Sequence, residues 1–597
     1  MLNAEEFEFL SSRATPSPQP NIISGETKGC PTAQDESTKA RLASRGLIDE
    51  NGDITNLGLS ELSPYKVESA VILAAGMATR FAPLSYERPK AMFEIRGEIL
   101  IERLIRQLKE ADIKNIAVVV GYMKEAFFYL EDEFNVRIII NPEYSNRNNH
   151  SSLWAAREHL GNSYIISSDQ FYSRNIFRPY EFMPFCSAVR LEKGRSEQLI
   201  ETDENNRIIY IGSESESAYR MQGPAYFDKA LSNRFLAILE QEYNRPATIG
   251  KLWDTVLAEH LDEFSIALKP WTEEAIHEFD YISDLCSFDQ DFFENVDSNI
   301  LDNICSTIKC ARTDIEGIEP VKAGLTNLSV LFSAKGDQYI YRHPGTGTDE
   351  IINRDAEAHS LRVAKKLGFD ETFIYEDPKT GWKISRYIPN CVPFDYRNEG
   401  HVTRAMRIAR KLHESGETSP WSFDFYEEAK KIVSLLIESS YPLPPDFDAI
   451  SSIIEELACY EREQEASPVL CHNDFYGPNF LINDQVFYLI DWEYSAMGDY
   501  GCDIGNFIAQ GSGYTEDEAV RVLDLYFGRQ ATDDEVRHCL ACTAIVGYYW
   551  FVWAVYKESK GNPVGEWLYT WYTAAKRFGT YALSLHTHAE GGSDAIV

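Results

Sequence analysis

The chain has 597 residues, 44% of them hydrophobic and 13% aromatic, and it carries a formal net charge of −36 at pH 7. This length exceeds the roughly 100 to 200 residues of a typical domain and predicts two large domains, while the apolar content excludes a disordered chain. The charge opposes binding to nucleic acids or anionic lipid, because their phosphate groups repel it.

The N-terminal region carries no chemical motif. Residues 1–36 are predicted to form a flexible tail, because most of them are Ser, Thr, Pro, Gly or other small polar residues. Residues 37–66 resemble the last helix and wing of a winged-helix module, and their balanced charges favour packing over DNA binding. The eleven cysteines are scattered and no signal-peptide pattern opens the sequence, so we expect a cytoplasmic location and no disulfides.

From residue 67 to 292, apolar runs alternate with helical patterns. The predicted strands cover residues 70–75, 116–120, 136–140 and 164–167, and the predicted helices lie near residues 99–108 and 151–160. This order predicts an α/β domain with a Rossmann-like, mainly parallel sheet. Such sheets bind ligands at the carboxyl ends of their strands, so the chemistry is expected just after Ala75 and Ser167.

The first predicted strand ends in a loop of small residues that is followed by two cations. Small residues let backbone N–H groups approach a nucleotide, and Arg80 and Lys90 can neutralise a departing pyrophosphate. We therefore predict a catalytic role for Arg80 and Lys90. The predicted nucleotide-binding residues of the loop are Leu73, Ala74, Ala75 and Gly76.

This loop resembles that of the sugar-nucleotide pyrophosphorylase superfamily, and three further blocks narrow the resemblance to CTP:phosphocholine cytidylyltransferases. The blocks are Asn149-His150-Ser151-Ser152-Leu153, the segment 164–170, and Glu278-Phe279-Asp280. The resemblance covers about residues 67–288 and implies CTP as a substrate, with Asp169 and Asp280 as magnesium ligands. Two positions depart from the family pattern. Ala78 stands where the pattern usually has a second glycine, and Ser167 stands where relatives often carry another aspartate. The candidates for holding an ammonium group are Trp253 and Tyr226.

A second domain is predicted from residue 293 to 597, with a small α+β lobe before a larger, mainly helical lobe. A strand, a glycine turn and another strand are expected around residues 321–341, and two more strands near Phe480 and Tyr488. The uncharged run 539–556 has aromatic residues through its middle, which indicates a core helix instead of a membrane span. Its Cys539 and Cys542 are expected to be core thiols.

The most specific motif of the chain is His472-Asn473-Asp474-Phe475-Tyr476-Gly477-Pro478-Asn479, followed by Ile490-Asp491-Trp492-Glu493. In phosphoryl transfer a carboxylate accepts the proton of the substrate hydroxyl, and an Asn and a second Asp hold magnesium. The spacing assigns Asp474 as the base and Asn479 and Asp491 as metal ligands. The predicted nucleotide-binding residues upstream are Gly324, Thr326, Asn327, Arg342 and Glu357, with the last two forming an ion pair.

These residues resemble choline and ethanolamine kinases, which are relatives of aminoglycoside phosphotransferases and use a protein-kinase-like fold. The resemblance implies ATP as a substrate and a buttressing role for Asp503. A quaternary ammonium group cannot donate a hydrogen bond and is held by aromatic faces. Trp550 and Trp553 share one face of a predicted helix and resemble the aromatic wall of choline kinases, and Tyr572 is predicted to add another wall.

The two halves together predict a bifunctional enzyme that makes CDP-choline from choline, ATP and CTP, with Mg²⁺ at both sites. Ethanolamine is an alternative substrate for both steps. A second alternative is a sugar or aminoglycoside kinase fused to a sugar-phosphate nucleotidyltransferase, for which carboxylates would line the acceptor pocket. A third is a DNA-binding regulator, which the negative charge opposes.

Overall fold

A computed structural model describes residues 2–14, 33–191, 198–321, 327–345, 352–463, 467–511, 513–561 and 564–591. The chain divides into two compact units, Met1–Asn303 and Ile304–Val597. The boundary predicted near residue 293 therefore falls inside the first unit, shortly before a helix that continues through the division.

The N-terminal residues form a small helical module, which corrects the prediction of a flexible tail over residues 1–36. Its helices are α1 Ala4–Ala14, α2 Ala33–Ser44 and α3 Asn56–Leu62. Phe7 and Leu10 lie on one face of α1 and are fully buried against Leu42 and Leu62, so α1 has an apolar face that composition alone concealed. Residues 15–32 of the predicted tail lie outside the described residues. In the segment 37–66, an antiparallel bridge links residues 48 and 54.

The core of the first unit is a mixed sheet with a parallel centre. The strands of this sheet and of two small two-stranded sheets are β1 Ser69–Ala74, β2 Glu94–Ile95, β3 Glu98–Ile99, β4 Asn115–Val120, β5 Arg137–Ile140, β6 Ser163–Ser167, β7 Gln170–Tyr172, β8 Phe185–Arg190, β9 Leu199–Thr202, β10 Ile208–Gly212, β11 Tyr219–Phe227, β12 Ala267–Trp271 and β13 Ile276–Glu278. The main sheet has the order β10-β9-β11-β6-β1-β4-β5, with β8 paired to β11 and β12. The neighbours β6, β1, β4 and β5 are all parallel, which confirms the Rossmann-like prediction.

The helices that follow the N-terminal module are α4 Leu100–Glu110, α5 Tyr129–Phe134, α6 His150–Ala155, α7 Lys229–Glu242, α8 Trp253–Ala258, α9 Ile282–Phe288, α10 Phe292–Asn295 and α11 Asn299–Ile308. The first two of them pack on one face of the sheet, and α6, α7 and α8 pack on the other. In α4 the buried residues Ile101, Leu104, Ile105 and Leu108 recur at helical spacing, so one stripe of the helix faces the sheet.

The second unit begins with an antiparallel sheet of order β14-β15-β16-β18-β17. Its elements are β14 Ile315–Val321, β15 Leu328–Ala334, β16 Asp337–His343, the helix α12 Arg354–Leu367, β17 Phe373–Glu376 and β18 Lys383–Arg386. The strands β14 to β16 agree with the predicted strand, turn and strand. Of the predicted glycine turn, Asn327 is described, whereas Gly324 and Thr326 lie outside the described residues.

The rest of the second unit is mainly helical, which confirms the α+β, protein-kinase-like prediction. Its helices and hairpin strands are α13 Glu399–His413, α14 Phe425–Glu438, α15 Phe447–Glu463, β19 Val469–Cys471, β20 Phe480–Ile482, β21 Phe487–Leu489, β22 Ala496–Gly498, α16 Tyr500–Gln510, α17 Glu516–Phe527, α18 Asp533–Ser559 and α19 Trp567–Gly591. Among the described residues, only α18 is long and apolar enough to cross a membrane, and 94% of its most apolar window is buried inside the unit.

Candidate functional sites

In the first unit, a cavity of about 430 Å³ opens at the carboxyl ends of β1 and β6. All eight residues predicted for this site line it: Leu73, Ala74, Ala75, Gly76, Arg80, Lys90, Asp169 and Asp280. The small side chains come from the end of β1 and its loop, whereas Arg80 and Lys90 lie in two short 3₁₀ turns, Thr79–Phe81 and Lys90–Met92. The fold thus brings together residues that are up to two hundred positions apart.

Each cation of this cavity is paired with one of the predicted metal ligands. Lys90 Nζ lies 3.2 Å from Asp169 Oδ2, and Arg80 Nη1 lies 3.2 Å from Asp280 Oδ1. Ser167 donates a 2.6 Å hydrogen bond to Asp169 Oδ1. Burial works against the ionisation of Asp169, but Lys90 and Ser167 outweigh it and lower the pKa of this carboxyl. Ser167, which departs from the family pattern, therefore supports the charged form of its neighbour.

Glu278 is a third carboxylate of this site, and no role for it was predicted. Burial and the nearby charges of Asp169 and Asp280 raise the pKa of Glu278 to about 7. Side chains two residues apart on an extended chain point to the same face. Because Glu278 stands two residues before the predicted metal ligand Asp280, this spacing could have indicated from the sequence that Glu278 lies near the site.

The two predicted ammonium-binding aromatics lie elsewhere. Tyr226 is 1% exposed and packs among Tyr164 and Phe185, and Trp253 is 8% exposed and packs on Phe227. Both are core residues, as large apolar side chains in a sheet and its covering helices commonly are. Two residues of the block 149–153, Asn149 and Ser152, line the cavity, and Asn149 Oδ1 accepts a 2.8 Å hydrogen bond from the backbone N–H of Trp253.

In the second unit, Asp474 follows β19 and contacts Asn479. The Nδ2 of Asn479 donates to Asp474 Oδ2 and to its carbonyl oxygen, both at 2.9 Å. Asp503 accepts the backbone N–H groups of His472 at 2.8 Å and Asn473 at 2.6 Å, which is the geometry of a buttress for the loop. Burial and the charge of Asp491 raise the pKa of Asp474 to about 7.

Two residues of this loop region have left-handed backbones. The φ angle is 64° at Asn473 and 67° at Asp491, a conformation that costs free energy for residues other than glycine. The Nδ2 of Asn473 donates to the carbonyl oxygen of Tyr494 at 3.0 Å. This hydrogen bond, together with those that Asp503 accepts, holds the backbone directly before the predicted base.

Arg342 is the centre of a buried network of charges. Its guanidinium lies 2.7 Å from Glu357, 3.3 Å from Glu376, 3.5 Å from Asp491 and 3.6 Å from Glu493. The predicted pair of Arg342 and Glu357 thus forms, and it lies against the predicted metal ligand Asp491.

A second cation in the network was not predicted. Lys383 of β18 lies 3.3 Å from Glu357 and 4.0 Å from Asp491. Asn327, the described member of the predicted turn, donates to Glu493 at 3.2 Å. Both contacts join segments far apart in the chain, so no local pattern pointed to them.

The donor atoms of both sites fit a hard divalent cation. One carboxylate oxygen each from Glu357, Asp491 and Glu493 lies within 4.8 Å of the others, and the first site offers Asp169 and Asp280. Magnesium prefers such oxygen ligands. Glu493 stands two residues after Asp491 in the same block, which was the available signal for it.

The predicted aromatic wall is part of a larger aromatic cluster. Trp550 and Trp553 are each 5% exposed, with ring centres 5.6 Å apart. Trp571 of α19 stacks on Trp550 at 5.7 Å, and Tyr494 contacts Trp550 edge-on at 5.6 Å. Lys557 Nζ lies 5.2 Å from the ring centre of Trp553, so the face of this ring already attracts a cation.

Tyr572 does not join this cluster. Its ring contacts Phe551, and its hydroxyl donates to Asp446 at 2.8 Å. Consecutive helical residues point about 100° apart, so Trp571 faces the cluster while Tyr572 faces another way. Trp571, and not Tyr572, is thus the residue of this part of α19 that contacts Trp550.

Asn506 links the aromatic cluster to the loop that carries Asp474. Its Oδ1 accepts a hydrogen bond from the indole nitrogen of Trp550 over 3.2 Å, and its Nδ2 donates to the carbonyl oxygen of Asn473, the residue before Asp474, over 2.6 Å. Gln510 donates to the same Oδ1 of Asn506. The aromatic cluster therefore lies next to the loop of the predicted base.

Each unit matches one known family. Residues 70–171 match the MobA-like NTP transferase domain, and residues 317–538 match the phosphotransferase enzyme family. A choline-phosphate cytidylyltransferase from Streptococcus pneumoniae is 29% identical over 36% of this chain and 94% of its own length. A 2-aminoethylphosphonate cytidylyltransferase from Lancefieldella rimae is 31% identical over 38% of this chain and 93% of its own length.

The second unit has relatives of its own. Protein LicA from Haemophilus influenzae is 25% identical over 41% of this chain and 94% of its own length. The similarities to the cytidylyltransferases and to Protein LicA each extend over nearly the whole of the relative. Through its first unit the chain therefore belongs to the cytidylyltransferases. Its second unit matches the phosphotransferase enzyme family, so a nucleotidyltransferase domain is followed by a phosphotransferase (kinase) domain.

Proposed function

We propose that the second unit transfers the γ-phosphoryl group of ATP to choline and that the first unit transfers CMP from CTP to the resulting phosphocholine. The products of the second step are CDP-choline and diphosphate. The observation that carries this proposal is the link from Trp550 through Asn506 to the backbone of Asn473, the residue directly before Asp474. It joins a base for a hydroxyl group to a wall for a quaternary ammonium group, and choline contains both groups.

In the kinase reaction, ionised Asp474 accepts the proton of the choline hydroxyl as the hydroxyl oxygen bonds to the γ-phosphorus of ATP. The bond from this phosphorus to the bridging oxygen breaks, and ADP leaves. Arg342 and Lys383 bring positive charge to the phosphates of ATP, and Glu357 holds both cations in place. Asn479 and Asp491, with Glu493, would hold Mg²⁺, which when bound neutralises charge on the phosphates.

In the cytidylyl transfer, a phosphate oxygen of phosphocholine attacks the α-phosphorus of CTP in line, and diphosphate leaves. Arg80 and Lys90 stabilise the charge that develops on the leaving group. The small residues 73–76 let the nucleotide approach the backbone. Asp169 and Asp280 would hold Mg²⁺ in this site.

The aromatic cluster supports choline over the alternative acceptors. A sugar or aminoglycoside presents hydroxyl and amino groups that need polar partners, whereas Trp550, Trp553 and Trp571 offer ring faces. Such faces bind a quaternary ammonium group without hydrogen bonds. Ethanolamine is the second candidate substrate for the kinase. For the first unit alone, 2-aminoethylphosphonate is another candidate acceptor, because one relative is a 2-aminoethylphosphonate cytidylyltransferase.

Phosphorus NMR of the full chain with Mg²⁺, ATP, CTP and either choline or ethanolamine tests the proposal. We expect phosphocholine and then CDP-choline. In Asp474→Asn, choline is not phosphorylated, but added phosphocholine still gives CDP-choline. Asp484→Asn, in the exposed turn between β20 and β21, is the matched control and behaves as the unmodified chain does.

Two outcomes would contradict the proposal. If Asp474→Asn phosphorylates choline at the normal rate, Asp474 is not the base. If neither choline nor ethanolamine is phosphorylated while CTP is consumed with 2-aminoethylphosphonate, the first unit acts on a phosphonate and the two units do not share an intermediate.

A further inference from the structure

Five polar side chains meet at the start of α16, outside both sites described above. Asp499 caps α16 and Cys502 lies in its first turn, while His538 and Cys542 lie one turn apart on α18. Glu461 comes from α15. One ligand atom each from Glu461, His538 and Cys542 lies within 4.8 Å of the others.

His538 is held at both of its ring nitrogens. Its Nε2 lies 2.8 Å from Asp499 Oδ1 and 4.0 Å from Cys542 Sγ. Its Nδ1 is hydrogen-bonded to Glu461. Cys502 lines the same cavity as Cys542, and the two thiols are close enough to affect each other's pKa. One nitrogen, one sulfur and one carboxylate oxygen therefore lie side by side, with a second thiol next to them.

Gly501 shows how closely three of these atoms converge. A Cβ atom built on this glycine would lie 2.9 Å from Cys542 Sγ, 2.9 Å from His538 Nε2 and 3.1 Å from Asp499 Oδ1. Any other residue at position 501 would push its side chain into the three atoms. The absence of a side chain here lets α16 approach them and keeps them grouped.

We propose that Asp499, Cys502, His538 and Cys542 bind one zinc ion. Zinc takes four ligands of this kind in tetrahedral sites, and soft thiolate ligands select it over magnesium or calcium. Glu461 then acts as the outer partner that fixes the ring of His538 through Nδ1, as carboxylates do beside zinc-bound histidines. Binding releases the protons of the two thiols.

The structure also provides a way in for the ion. A cavity of about 430 Å³ is lined by Glu461, Asp499, Cys502 and Cys542, together with residues of α14 and β22. None of its lining residues belongs to the two sites described above. The polar cluster is thus reached from a cavity of its own.

A site with four protein ligands is structural, because no position is left for a substrate. The ion would join the first turn of α16 to α18. The residue after Cys502 is Asp503, which holds the backbone of the loop before Asp474. We therefore expect the zinc ion to fix the helix that orients the catalytic loop, without contact with the substrates.

Without a metal, the same residues form an ion-pair network. In that case His538 is an imidazolium between Asp499 and Glu461, whose hydrogen bonds outweigh burial and raise its pKa to about 10. This ion-pair arrangement gives no role to the thiols of Cys502 and Cys542. The two accounts differ in whether the cysteines hold a metal.

Metal analysis of the full chain, produced in medium with added zinc, tests the proposal. We expect about one zinc per chain, and about a tenth of that or less in Cys502→Ser and Cys542→Ser. Cys539→Ser is the matched control, because Cys539 is buried on the same helix but lies outside the cluster; its zinc content stays unchanged. Cobalt substitution of the unmodified chain gives thiolate-to-cobalt charge-transfer absorption, which both cluster variants lose.

Measurements on the unmodified protein are sufficient to contradict the proposal, even if the variants are unstable. Absence of zinc together with absence of the cobalt–thiolate absorption contradicts it, and so does zinc that remains in both cysteine variants. A chelator is expected to lower the Tm of the unmodified chain and of Cys539→Ser. If the Tm does not respond to the chelator, zinc does not join α16 to α18.

Discussion

Trp550 donates its indole N–H to Asn506 Oδ1 over 3.2 Å. Asn506 in turn donates its Nδ2 hydrogen to the carbonyl oxygen of Asn473 over 2.6 Å. Trp550 and Asn506 are both buried. Asn473 directly precedes Asp474 in the chain. One amide side chain therefore sets the position of the aromatic cluster relative to the catalytic loop.

Asn506→Ala tests this coupling. The variant leaves the N–H of Trp550 and the carbonyl of Asn473 without their partner, at a cost of about 1–3 kcal/mol each. We expect kcat/KM for choline to fall about tenfold or more, while cytidylyl transfer to added phosphocholine is unchanged. Steady-state kinetics of both reactions measure this. Asn483→Ala, in the exposed turn between β20 and β21, is the control, and an equal loss in that variant argues against the coupling.

The pH dependence of the kinase reaction reports on Asp474. Burial and Asp491 raise the pKa of its carboxyl to about 7, and only the ionised form can accept the proton of choline. We therefore expect kcat/KM for choline to increase as the pH rises through about 7 and to level off above it. A profile that is already flat below pH 6 indicates that Asp474 is ionised throughout and contradicts the raised pKa.

The neighbouring residues Trp571 and Tyr572 can be compared directly. Trp571 stacks on Trp550, whereas Tyr572 is bonded to Asp446. We expect Trp571→Leu to raise the KM for choline about tenfold, because it removes an aromatic face next to the ammonium group. Tyr572→Leu changes this KM about twofold or less. Thermal unfolding of both variants separates binding from stability, and a larger effect of Tyr572→Leu would restore the original prediction.

Arg342→Lys tests the buried charge network. The guanidinium contacts four carboxylates, and an ammonium group cannot reach all of them from the same strand. We expect kcat/KM for ATP to fall about tenfold or more. Arg386→Lys, at an exposed position of β18, is the control for loss of an arginine from this sheet. Unchanged kinetics in Arg342→Lys would show that a single positive charge is sufficient.

The sequence indicated most directly those candidate site residues that are close together in the chain. Asp474, Asn479 and Asp491 lie within one motif, and the loop after β1 lies directly behind its strand. Lys383 and Glu376 were missed because they join Arg342 only when distant strands pair. No local periodicity records such contacts, since they depend on the register of β16 and β18.

The wrong assignments have physical reasons too. Tyr226 and Trp253 are large aromatics that burial in the core explains without a ligand. Tyr572 was misassigned because the rotational position of α19 could not be known from the sequence. The short helix α1 was missed because its apolar residues, including Phe7 and Leu10, become a buried face only once α2 and α3 cover them.

The left-handed backbones at Asn473 and Asp491 bear on any attempt to make this protein more heat-resistant. Glycine at either position would relieve conformational strain and so favour the folded chain. The same exchange would remove the amide that bonds to Tyr494 or the carboxylate beside Arg342. Selection for stability and selection for phosphoryl transfer would therefore choose different residues at these two positions.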